Sequence, residues 1–133
     1  MSIPPYLGSM RIKTISRVVL ATFFIGAGIT HFTNPAGFLR IVPPYLPAPL
    51  LLVYLSGAAE IAGGLGLLIP ATRRWAAWGL MALLVAVFPA NVYMLQTHGA
   101  GLPVPLWALW LRLPLQLVLI GCVWWSARPN PKI

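Results

Sequence analysis

Residues 48–69 read APLLLVYLSGAAEIAGGLGLLI, with one charged side chain, Glu60, near the middle. Wound as a helix at 1.5 Å per residue, this run is about 33 Å long, which matches the hydrocarbon core of a bilayer. Pro47 and Pro49 open it and Pro70 closes it, so its ends are marked by residues that start or stop helices. The reading as a membrane span decides the fold class, and the rest of the chain agrees with it.

Outward from this stretch, charge stays scarce. No charged side chain lies between Arg17 and Arg40, none between Trp75 and Leu111, and none from Leu113 to Ala127. Charged residues make up 8% of the 133 positions, against about 25% in a soluble domain. A water-facing surface cannot be built from nine basic side chains and one carboxylate, so an ordinary soluble fold is excluded. Prolines and glycines cut the apolar stretches into four predicted spans, approximately 15–33, 48–69, 74–95 and 105–126. They form one domain over residues 1–133, an all-α membrane protein with a four-transmembrane-helix bundle. A basic start before an apolar run also suits a signal peptide; here that segment is read as the first span.

An even number of spans places both termini on one side. Arg11, Lys13, Arg17, Arg73, Arg74, Arg128 and Lys132 fall on that side, and Arg40 alone falls in the opposite loops. The positive-inside rule makes the richer side cytoplasmic, in a bacterial inner membrane. The net charge of +8 is thus accounted for by topology, and no domain remains to present it to nucleic acid. Trp75 and Trp78, Trp107 and Trp110, and Trp124 and Trp125 mark the interfaces, where indole rings settle. The lone Cys122 excludes a disulfide framework and a CxxC pair.

Polar residues at membrane depth carry most of the functional information, because lipid penalises an ionised group by ~2.5–3.5 kcal/mol at a helix centre. Glu60 sits near the midplane. Arg112 and Gln116 are four residues apart and share a face of the fourth span. Asn91 follows Pro89 near the outer end of the third, and His31 lies near the outer end of the first. Glu60 is expected to face Arg112 inside the bundle, with His31, Asn91 and Gln116 in the same polar chamber. Pro89 and Pro114 are expected to bend their helices. The small residues Gly26, Gly28, Gly57, Gly63, Gly64 and Gly66 are expected to bring the first two spans into close contact. The proline-rich, apolar loop Asn34–Pro47 is expected to fold over the outer mouth, with Arg40 pointing at the pocket or at lipid phosphate. No metal-ligand pattern occurs. Two histidines, His31 and His98, both at the outer end, do not favour haem.

Several segments, taken in order, resemble the DoxX-like family of small bacterial membrane proteins. They are Gly28-Ile29-Thr30-His31-Phe32, Phe38-Leu39-Arg40-Ile41-Val42-Pro43-Pro44-Tyr45, Ser56-Gly57-Ala58-Ala59-Glu60, Arg73-Arg74-Trp75, Phe88-Pro89-Ala90-Asn91 and Leu111-Arg112-Leu113-Pro114-Leu115-Gln116. The resemblance spans about residues 14–126 and implies a four-helix bundle whose polar positions are His31, Arg40, Glu60, Asn91, Arg112 and Gln116. It also implies association with redox complexes, since the family takes its name from a subunit of a thiosulfate:quinone oxidoreductase.

Three functions follow as expectations. The first is an integral subunit or accessory protein of a redox or energy-converting membrane complex, with other membrane subunits or further copies as partners and quinone or lipid at the pocket. The second is a stand-alone protein or enzyme for a small hydrophobic molecule, with Glu60 as acid/base and candidate catalytic residue. The third is an assembly factor for other membrane proteins.

Overall fold

The computed structural model describes residues 2 and 4–129; Lys132 and the two terminal residues lie outside that range. Among the described residues the chain is helical and contains no strand. The helices are α1 (Pro5–Thr33), α2 (Pro35–Leu39), α3 (Pro49–Leu68), α4 (Arg73–Ala86), α5 (Phe88–Gln96) and α6 (Leu106–Ala127). Four segments are long and apolar enough to cross a membrane: Leu7–Thr33, Pro49–Leu68, Arg73–Gln96 and Leu106–Ala127.

Proline sets several of these boundaries. Pro5, Pro35, Pro49 and Pro89 each stand in the first positions of a helix, where the missing N–H costs nothing and φ is already helical. Pro89 also splits the third apolar segment into α4 and α5 at Val87. Pro114 behaves differently, since α6 runs through it as one helix. Helix α1 begins ten residues before the expected start of the first span. Arg11 and Lys13 interrupt the apolar run, yet charge marks where lipid ends and does not stop a helix.

The helices form a closed ring in chain order. α1 packs on α3, α3 on α4, α4 and α5 on α6, and α6 returns to α1. The closest seam is α1–α3, where a Cβ on Gly28 would meet the Gly57 carbonyl oxygen at 2.6 Å. Helix α3 divides its glycines between two neighbours: Gly57 and Gly64 face α1, while Gly63 and Gly66 face Leu80 and Ala76 of α4. Gly26, expected in the same seam, has open space around it.

Leu20, Phe24, Leu67, Ala77, Leu80 and Val123 form a buried core. Their positions place it in the half of the bundle nearest the chain termini. At that end, basic side chains cover helix C-termini: Arg73 Nε donates to the Leu67 carbonyl at 2.7 Å, Arg17 Nε to Ser126 at 2.6 Å and Lys13 Nζ to Arg128 at 3.1 Å. These carbonyls lack intrahelical partners and carry the negative end of the helix dipole. The bundle's outer surface is apolar, with Val19, Leu55, Val85 and Leu117 all more than half exposed. The tryptophans at both ends are also exposed.

Candidate functional site

The half of the bundle away from the termini is hollow. A cavity of about 610 Å³ lies between α1, α3, α4, α5 and α6. Phe38, Ile41, Val42, Pro43 and Leu46, from the segment between α1 and α3, contribute to its walls. Proline density holds that segment to the five-residue α2 and a series of turns, and Pro43 is fully buried. The expected lid is therefore present as a roof of apolar side chains.

His31, Glu60, Asn91, Arg112 and Gln116 all line this one cavity, joined by Ser56 one turn before Glu60 on the same face of α3. Arg40 does not line it. Its Nη1 donates to the Gly101 carbonyl at 3.3 Å, fastening the roof to the α5–α6 loop. In that loop His98, Gly99, Ala100 and Gly101 are consecutive positive-φ residues. The expected placing of Arg40 at the pocket is thus corrected: its donor reaches a neighbouring loop first.

Glu60 and Arg112 do not form the expected ion pair. Among the described residues His31 is the basic side chain beside Glu60, with Nδ1 3.5 Å from Oε2 and no hydrogen bond between them. The cause lies in the α1–α3 seam. Glu60 is three residues after Gly57 and shares its face, so the contact that buries Gly57 against α1 also turns the carboxyl toward His31. The imidazole Nδ1 is 2.8 Å from the Ala27 carbonyl, one turn back on α1. Phe38 of the roof stacks on its ring, with centroids 3.8 Å apart and planes at 20°.

The two carboxyl oxygens of Glu60 differ. Oε2 is sealed from the cavity and accepts no hydrogen bond. Oε1 is neither sealed nor hydrogen-bonded, and Glu60 lines the cavity, so this oxygen is the one that faces the space.

Arg112 belongs to a second polar unit. Its Nη2 donates to Asn91 Oδ1 at 3.1 Å, Asn91 Nδ2 donates to Gln116 Oε1, and Gln116 Nε2 donates to the Leu84 carbonyl. The row runs from α6 to α5, back to α6 and on to α4, crossing the seam where Pro89 interrupts the helix. Gln116 is buried and Arg112 is exposed. Sequence spacing had indicated Asn91, Arg112 and Gln116 but not the Leu84 carbonyl; the signal was Pro89, because helix breaks free main-chain acceptors.

The site thus offers an open carboxyl oxygen backed by a histidine, a guanidinium on an amide chain, and apolar walls from Phe24, Val53, Leu83 and Leu119. Among the described residues no group of three or more His, Cys, Asp or Glu side chains could hold a metal ion. Cys122 is exposed and outside the cavity.

A family model described as a domain of unknown function, DUF8561, matches residues 20–127. No curated protein and no solved structure matches the chain. The matched region runs from within α1 to the end of α6 and includes every side chain of the chamber, so the chain belongs to the DUF8561 family, a domain of unknown function.

Proposed function

We propose that this is a multi-pass membrane protein of the bacterial inner membrane, with both termini in the cytoplasm, which binds a small hydrophobic molecule in the chamber under residues 34–47. The observation that carries the proposal is the Glu60 carboxyl group, sealed on one oxygen and open to the cavity on the other. An ionisable group at membrane depth is costly and is a functional candidate by default. The cavity volume lies within the ~300–1,000 Å³ typical of small-molecule sites, and the mix of apolar walls and a few convergent polar groups is also typical. Glu60 Oε1 would accept a hydrogen bond, or a proton, from the bound molecule, while His31 holds the carboxyl from behind as a positioning residue.

Purification in mild detergent followed by mass spectrometry of small molecules tests the proposal. The wild-type protein should carry a defined hydrophobic compound, and Glu60→Gln should fold with an unchanged melting temperature but lose it. A chamber that is empty in the wild type, or equally occupied in Glu60→Gln, would overturn it.

The resemblance of residues 14–126 to the DoxX-like family supports a second proposal, an accessory subunit of a redox or energy-converting membrane complex that places the same chamber near quinone. A stable larger complex in the same purification would favour this role.

A further inference from the structure

Resting on the chamber proposal above, we infer that the bound molecule is an anionic amphipath: a carboxylate or phosphate at one end pairs with Arg112, and an apolar body fills the chamber. The sequence contains one acidic side chain, Glu60. It stands beside His31 and makes no ion pair within 4 Å with Arg112. No other side chain in the chain can supply a counter-charge to Arg112, so any ion that pairs with it comes from outside the chain.

The geometry around Arg112 suits such an ion. A guanidinium carries five N–H donors, and here one hydrogen bond is formed, to Asn91 Oδ1. Asn91 and Gln116 pass their own donors on to Gln116 Oε1 and the Leu84 carbonyl, so the row anchors the guanidinium from one side and leaves its other donors free. A planar fork of free N–H groups matches carboxylate and phosphate in a bidentate fashion.

The chamber also borders the outer surface of the bundle. α1 and α6 are hydrogen-bonded at the terminal end, through Ser16 and Ser126, Arg17 and Ser126, and Lys13 and Arg128. Farther along the same two helices, Phe23 and Leu115 line the chamber yet remain 51% and 49% exposed. Both side chains thus border the chamber and the outer surface at once, which faces lipid chains in the proposed topology.

Calorimetric titration of the full-length protein in detergent micelles with palmitate, palmitoyl lysophosphatidate and hexadecanol tests the inference. Either acid should bind about tenfold or more tightly than the alcohol, as expected for a charge-assisted pair. Either order between the two acids supports the proposal and names the head group. Arg112→Gln should bring acid and alcohol to the same affinity. The wild-type comparison decides the matter even if that variant does not fold. Equal affinity for acids and alcohol in the wild type, or a preserved preference in Arg112→Gln, overturns the inference and leaves the chamber proposal standing. Binding of none of the three overturns the inference, and the chamber proposal is then decided by the co-purified compound.

Discussion

Gly57 on α3 lies so close to His31 on α1 that a Cβ on the glycine would fall 2.6 Å from the histidine Cβ. Gly28 makes the reciprocal contact, with its own Cβ position 2.6 Å from the Gly57 carbonyl oxygen. Helix–helix association in lipid gains from close backbone approach, since apolar side chains have no preference between lipid and protein. In this protein the approach also puts an imidazole beside the chain's single carboxylate, so packing and site chemistry depend on the same two glycines.

Gly57→Ala and Gly28→Ala should each destabilise the bundle by ~1–3 kcal/mol, the usual cost of overpacking. Gly26→Ala meets open space and should be neutral or stabilising, by up to ~1 kcal/mol, because alanine favours the helix. Thermal melting in detergent checks this, and three equal melting temperatures would contradict the assigned seam.

Gln116→Leu removes the link between Asn91 and the Leu84 carbonyl. It should cost ~1–3 kcal/mol by stranding a buried donor and acceptor. Adding Asn91→Leu should then cost much less than it does alone, with a coupling of ~0.5–3 kcal/mol in a double-mutant cycle. Strict additivity would show that the row is not a single unit.

Phe38→Ala deletes the ring stacked on His31. An aromatic stack contributes ~0.5–1.5 kcal/mol beyond its buried area, so local opening of the roof should rise several-fold, up to about tenfold. Hydrogen exchange of the amides in residues 35–46 measures it, and unchanged exchange there would mean that Pro43 and Leu46 hold the roof without the ring.

Reporter fusions after residue 10, in the Arg73–Arg74 turn and after residue 128 should all report a cytoplasmic location, and fusions near Gly37 and Gly101 the opposite side. A C-terminal fusion outside the cytoplasm would break the proposed topology.

The four long segments were legible because prolines, glycines and gaps in charge bracket each of them. Helix ends were less legible at α1, since Arg11 and Lys13 end an apolar run without ending a helix. The membership of the chamber was readable from cost, as His31, Glu60, Asn91, Arg112 and Gln116 are the polar groups set within apolar segments, and all five line it. The pairing within it was not. Which way Glu60 points depends on the rotation of α3 about its own axis, and the glycines of 57–66 serve two neighbouring helices. Only the packed structure shows that Gly57 belongs to α1 and Gly63 to α4. The destination of Arg40 likewise depended on a loop sixty residues away.

The basic side chains that hold the ends of this bundle take main-chain carbonyls as their partners: Lys13 on Arg128, Arg17 on Ser126, Arg73 on Leu67 and Arg40 on Gly101. Carbonyl oxygens do not titrate. Acid usually loosens proteins by protonating carboxylates that are paired in the native state, and here Glu60 is the only carboxylate side chain. Protonation of carboxylate side chains therefore cannot release any of these fastenings. The ends of the bundle are thus held by acceptors that a change in carboxylate charge does not touch.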